Sequence, residues 1–186
     1  MKFKVVILSL CLAVIGAGCV HTQHDNDPFE TIPAFYRIND NLYRGGCPDM
    51  AGLMYLKELK IKTILCFQQP SEELEREESM AQAFGLKFIN IPLSVRGMPA
   101  DKQVIGFLEV VTDKSKFPVF IHGGSGRGRT GVMTAVYRVV VEGWTIKEAY
   151  EEAKNLDYWP YQGDAELKRF INQLNDKDIY FIKVGR

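Results

Sequence analysis

Phe117-Pro118-Val119-Phe120-Ile121-His122-Gly123-Gly124-Ser125-Gly126-Arg127-Gly128-Arg129-Thr130-Gly131 is the stretch whose reading decides the fold. Val119 to Ile121 is a short apolar, partly β-branched run that suits a buried strand. Four glycines follow within six residues, at 123, 124, 126 and 128, and let the backbone turn sharply. From Thr130 the pattern becomes helical, with Val132, Met133, Val136, Val139 and Val140 recurring at three- and four-residue spacing. A strand, a glycine-rich turn and a helix start place successive loop N–H groups around one point with the positive end of the helix behind them. Arg127 and Arg129 lie in the same turn, and a guanidinium grips phosphate through two parallel hydrogen bonds. The expected guest is a phosphate group, held by Gly124, Ser125, Gly126, Arg127, Gly128, Arg129 and Thr130.

Three loop families compete for these residues. Gly126-x-Gly128-x-x-Gly131 fits the dinucleotide fingerprint, but that motif opens the first βα unit of its fold and wants an acid about 20 residues further on. Gly123-x-x-x-x-Gly128-Arg129-Thr130 fits a nucleotide P-loop with arginine in place of lysine, and no apolar strand ending in aspartate follows to anchor magnesium. The third match is the fullest. His122, Gly126, Arg129 and Thr130 fall on the HCxxGxxR-Ser/Thr signature, and the chain resembles the Cys-dependent tyrosine and dual-specificity phosphatases. Asn41-Leu42-Tyr43-Arg44-Gly45-Gly46-Cys47-Pro48 also resembles the opening of many bacterial members. The resemblance runs from about Asn41 to Leu174.

The resemblance implies a cysteine nucleophile at 123, and this chain has Gly123. It implies a general-acid aspartate in the loop Ile91 to Pro99, where Val95 takes that place. Valine donates no proton, and general acid catalysis contributes about two to four orders of magnitude in rate. Asp101 is the nearest carboxylate; it is a weak substitute acid and a better N-cap for the next helix. Ser125 stands two residues from the nucleophile position with no base in view to activate it. His122 is implied as a support of the loop by hydrogen bonding. No metal or other cofactor is expected. The reading is a catalytically impaired phosphatase-like protein that binds phosphate or a phosphorylated ligand, either protein or small phosphoester. A residual phosphatase working through an unconventional site is the alternative, and a nucleotide-binding P-loop protein is a distant third.

The rest of the chain builds the scaffold. Ile38 to Arg44 reads as strand, turn, strand; Asp49 caps a helix to Leu59; Ile61 to Phe67 is a buried strand. Ser71 caps an acidic helix, Glu72 to Phe84, whose carboxylates read as a solvated face near the positive helix end. Leu86 to Ile91 is a strand, Lys102 to Thr112 a helix, and Thr145 caps another helix to Leu156. The aromatic stretch Asp157 to Tyr161 precedes a last helix from Gly163 or Asp164, with Leu167, Phe170, Ile171 and Leu174 inward, and Ile179 to Val184 closes as a strand or docked tail. Strands separated by helices imply an α/β fold with a mostly parallel central sheet flanked by helices on both faces and a ligand loop beyond the strand ends.

Composition bounds the surroundings. The 186 residues carry 23 basic and 23 acidic groups, which excludes the basic excess expected of a nucleic-acid partner. Lys2 and Lys4 precede the apolar run Val5 to Gly18, the form of an export signal too short for a comfortable membrane span. Cys19 follows the small residues Gly16-Ala17-Gly18 and looks like the lipid-modified cysteine of bacterial lipoproteins, so residues 1–18 are read as signal peptide, 19–34 as tether and 35–186 as the domain. The expected location is a membrane-anchored lipoprotein outside the cytoplasm, with plain secretion as the alternative. His21 and His24 lie in the tether without partners at ligand spacing and are read as inert. For Cys47 and Cys66, a disulfide in an oxidising compartment and two free thiols both stay open.

Overall fold

The computed structural model describes residues 31–156 and 164–175. Strands β1 (Tyr36–Arg37), β2 (Leu42–Gly45), β3 (Thr63–Cys66), β4 (Lys87–Asn90) and β5 (Val119–His122) form one sheet in the order β1-β2-β5-β3-β4. Only the β1–β2 hairpin is antiparallel; β2–β5, β5–β3 and β3–β4 are parallel. The crossovers are made by α1 (Met50–Glu58) between β2 and β3, α2 (Glu72–Ala83) between β3 and β4, and α3 (Asp101–Val111) between β4 and β5. Helices α4 (Gly128–Val140), α5 (Ile146–Asn155) and α6 (Asp164–Asn175) follow β5. The expected α/β architecture is present.

Side chains alternate across each strand, and this alternation sorts the core into two layers. Leu42, Leu65, Val119 and Ile121 face α3 to α6, with Phe107, Met133, Val136, Ala149, Leu167 and Ile171. Ile64 and Phe120 face the opposite way, against Leu53 and Leu56 of α1 and Ala81 of α2. Because Cys66 is in register with His122, as Ile64 is with Phe120, the period of two carries both Cys66 and His122 to the α1–α2 side. That placement matters for the site.

Sequence-read caps hold where a side-chain oxygen is available. Asp49 accepts from the Gly52 N–H at 2.7 Å, Ser71 from Leu74 at 3.2 Å, and Thr145 from Glu148 at 3.2 Å. Each such cap is worth about 1 kcal/mol. Asp101 departs from expectation: the N-cap is Ala100 and Asp101 is the first helical residue. Gln103 supplies the clamp, accepting from the Ala100 N–H at 2.8 Å and donating to the Pro92 carbonyl at 2.6 Å. The cradle helix also starts earlier than read, at Gly128, with the Gly131 N–H bonded to the Arg127 carbonyl at 3.0 Å. Arg129 thus belongs to the first turn.

The folded domain begins before Phe35. Ile32 is fully buried in the α1–α2 layer, and the Pro33 carbonyl accepts from Gly46 N–H at 2.6 Å. Residues 31–34, read as the end of the tether, are therefore part of the packing. The export signal, Cys19, the aromatic stretch 157–161 and the tail at 179–184 lie outside the described residues.

Candidate functional site

Beyond the C-terminal end of β5 the chain makes the turn 123–127 and enters α4, so the loop sits over the middle strand of the sheet. It lines a cleft of about 290 Å³ with the segment Leu93 to Pro99 opposite it. Gly123, Gly124, Ser125, Gly126, Arg127, Gly128, Arg129 and Thr130 all border this space, as does Val95. Among the described residues no backbone carbonyl accepts from the amides of Gly124, Ser125 or Gly126. Main-chain donors and a helix start meet at one concave place, the arrangement that suits an anion.

What holds the loop is a close approach of two glycine-bearing backbones. Gly126 has φ +75°, and a Cβ on it would lie 2.4 Å from the Gly46 nitrogen. The Cys47 N–H donates to the Gly124 carbonyl at 2.9 Å, and Arg44 Nη2 donates to the Gly126 carbonyl at 2.6 Å. Arg44 is fully buried beneath the loop, and burial lowers its guanidinium to about 10, still charged at neutral pH. Its place in the Asn41–Pro48 motif was the available signal, but an arginine in an apolar strand gives no direction for its side chain.

Arg129 is fixed by Nη1 donating to the Phe67 carbonyl at 2.9 Å. Its Nε lies 3.6 Å from the point where a Cβ at Gly123 would stand, and its Nη2 lies 3.7 Å from the equivalent point at Gly124. Thr130 is buried, with Oγ1 3.4 Å from that same Gly123 point. Those distances are ordinary contact. The loop therefore has room for a Cβ at 123, within contact of both the guanidinium and the hydroxyl, and carries none.

Across the cleft Val95 is 49% exposed, in a turn where Ser94 Oγ accepts from the Arg96 N–H at 3.2 Å. Asp101 does not border the cleft, so the weak substitute acid is not brought to the loop. Ser125 and Arg127 are exposed at its rim.

Behind the loop, His122 is fully buried, with Nδ1 3.3 Å from the Gly123 carbonyl and Nε2 3.0 Å from Glu77 Oε1. The latter contact is close yet bent away from a good hydrogen-bond line. Glu77 is 3% exposed and also accepts from Cys47 Sγ at 3.2 Å. The solvated face read for the acidic helix fails at this residue. Leu74, Glu77 and Ala81 are spaced three and four apart and form its buried stripe, a signal legible in the sequence but outweighed by the run of glutamates around it. Burial works against a charged His122, but its close contacts with Cys66 and Glu77 win and raise it to about 10. Burial, then Glu77, push the Cys47 thiol up to about 12. Cys47 and Cys66 are both free thiols.

With this geometry in hand, comparison with known proteins gives the class. Residues 29–171 match the family described as DSP-PTPase phosphatase fused to NAD+ kinase, and the chain belongs to that phosphatase family. It is 30% identical over 170 residues to inositol diphosphatase DSP3 of Arabidopsis thaliana, covering 87% of this chain and 78% of that protein. It is 29% identical over 118 residues to the dual specificity protein phosphatase TpbA of Pseudomonas aeruginosa, covering 63% of this chain. The match spans only 51% of that TpbA, about half its length. Among solved structures, the core catalytic domain of the PP-IP phosphatase SIW14 from S. cerevisiae shares the fold with TM-score 0.70 at 23% identity, covering 82% of this chain and 93% of that one. P. aeruginosa TpbA aligns with TM-score 0.68 at 21% identity, covering 83% and 92%.

The glycine contact gives a direct test. Gly126→Ala forces an L-residue into left-handed backbone and drives its Cβ into Gly46, so stability should fall by at least about 1–3 kcal/mol in urea unfolding. An unchanged midpoint would show that the loop does not rest on this contact.

Proposed function

We propose that this phosphatase-family domain binds phosphate or a phosphorylated ligand without turning it over. The observation that carries the reading is the vacant side-chain position at Gly123, set within ordinary contact distance of Thr130 Oγ1 and Arg129 Nε inside an otherwise complete cradle. Turnover in this class needs a thiolate that attacks phosphorus and holds the phosphoryl group until water releases it. Gly123 supplies no nucleophile, Val95 supplies no proton to a leaving group, and among the described residues no carboxylate lines the cleft in their place. Cys47 is no replacement, since its thiol is held protonated and turned toward Glu77.

Binding stands on other groups. The loop amides, the first turn of α4 and Arg129 all favour a dianion, and without a thiolate at its centre the cradle repels that dianion less. The relatives named as inositol diphosphatases and as a dual-specificity phosphatase support a phosphoester as the ligand class. Export and anchoring belong to the same proposal: a basic start, a short apolar core and small residues ahead of Cys19 would tether the domain to a membrane surface outside the cytoplasm. Removing residues 1–18 takes away Lys2 and Lys4 and leaves 21 basic against 23 acidic groups, a net charge of −2.

Calorimetric titration with phosphate, sulfate or a phosphotyrosine peptide at low salt should show saturable binding that weakens at least about tenfold in Arg129→Ala, since a charge-assisted hydrogen bond contributes about 1.5–3 kcal/mol. Arg129→Lys should recover part of it and Arg127→Ala should matter less. Binding indifferent to Arg129 would remove the cradle from the function. Hydrolysis of an aryl phosphate should be near background in the natural sequence, rise in Gly123→Cys, and rise further when Val95→Asp is added. Robust natural turnover that survives Arg129→Ala would sink the proposal and favour an unconventional active site. Mass spectrometry of the membrane fraction should find a mature terminus at Cys19 carrying lipid; an intact Met1 or an unmodified mature terminus would overturn the anchoring.

A further inference from the structure

The convergence of Cys47, Glu77 and His122 behind the phosphate loop is not used by the binding of an anion in front of it. Three different elements deliver these groups: the turn after β2, the buried face of α2, and the last residue of β5. One ligand atom from each, Cys47 Sγ, a Glu77 carboxylate oxygen and a His122 ring nitrogen, lies within 4.8 Å of the other two. The thiol is half-buried and the other two residues are buried. We propose that these three side chains form a binding site for one divalent zinc-type cation, placed directly under the loop.

Four physical arguments favour a cation here over a plain hydrogen-bonded cluster. The first is unsatisfied polarity. Glu77 Oε1 and His122 Nε2 are both buried and point at each other, yet among the described groups neither has a well-aligned hydrogen-bond partner. Their mutual charge contact offsets only part of the cost of burying both, and metal bonds to each would offset more of it. The second is geometry: the closest donor pairs are 3.0 Å and 3.2 Å apart. Zinc bonds of about 2.0–2.3 Å to nitrogen, oxygen and sulfur could be met by small outward shifts of those side chains.

The third argument is the tautomer. A histidine that ligates through Nε2 must carry its proton on Nδ1, and ligating histidines commonly donate that proton to a carbonyl. His122 Nδ1 faces the Gly123 carbonyl at 3.3 Å, the partner this requires. The fourth is charge balance. A divalent ion with one thiolate, one carboxylate and one neutral imidazole sums to zero, which suits a closed interior, and binding of the ion displaces the protons that the Cys47 thiol and His122 Nε2 carry without it. The mixture of sulfur, nitrogen and oxygen selects zinc-like borderline cations over calcium or magnesium, which prefer all-oxygen shells.

The consequence for the loop is mechanical. His122 reaches the loop through the Gly123 carbonyl, and Cys47 reaches it through its N–H to the Gly124 carbonyl. A cation joining these two residues would therefore brace two successive peptide groups of the cradle from behind. The proposal is independent of whether the cradle binds or hydrolyses phosphoesters.

The test uses the full chain, stripped of metal and then equilibrated with Zn²⁺. One equivalent should bind, and at a free concentration about 100-fold above Kd the thermal midpoint should rise by roughly 5–10 °C. Cys47→Ser and Glu77→Gln should each weaken binding by more than about 100-fold, while His21→Ala with His24→Ala should leave it unchanged. The Co²⁺-substituted natural protein should show a sulfur-to-metal charge-transfer band, which reports the thiolate ligand even if a variant fails to fold. Absence of a stoichiometric site, absence of that band, or binding that survives Cys47→Ser and Glu77→Gln would overturn the proposal.

Discussion

The contact between Gly126 and the Gly45–Gly46 backbone is the constraint on which the site depends. Two main chains can pass this closely only where neither has a side chain: a Cβ on Gly126 would stand 2.4 Å from the Gly46 nitrogen, and one on Gly46 would stand 2.8 Å from the Gly124 carbonyl oxygen. The approach lets Arg44 and the Cys47 N–H reach loop carbonyls from below. Once those carbonyls are turned inward, the amides of residues 124 to 126 are left for the cleft. The left-handed conformation of Gly126, the buried arginine and the shape of the cradle are three aspects of one docking event.

The same event explains why so much sequence outside the loop is committed to it. Strands β2 and β3 flank β5, so the turn after each is within reach of the loop. The turn after β2 provides glycines and Cys47; the Phe67 carbonyl, just past β3, holds Arg129. Helix α2 provides Glu77, which meets His122 because strand alternation carries that histidine to the α1–α2 face. Each contribution is local in space and remote in sequence, from 45 to 129.

That remoteness separates what was legible in the chain from what was not. The β5 strand, the glycine turn, the alternation of strands and helices, and the caps at Asp49, Ser71 and Thr145 follow from short-range patterns, and the structure has them. The phosphate-loop residues could be named because they are contiguous. Glu77 was hidden by neighbours of its own kind: one glutamate of five in the run differs only in facing inward, a difference of tertiary origin. Ala100 displaced Asp101 as the cap because Gln103 bonds back to both Ala100 and Pro92, a clamp that no propensity scale contains. The start of the fold was read late because Ile32 belongs to a core layer whose other members lie between Phe35 and Phe120 in the chain.

A receptor made from main-chain amides keeps its shape whichever small side chain stands at its centre. Selection for holding an anion would guard Gly126, Gly46 and Arg129, whose loss changes the shape, but would exert little force on residue 123, where a Cβ meets only ordinary contacts. Sterically, exchange at that position is open in both directions. Two of the four glycine codons lie a single base from cysteine, so a lineage that uses this domain as a receptor can stand one point mutation from the nucleophile, and an enzyme lineage always stands one from glycine.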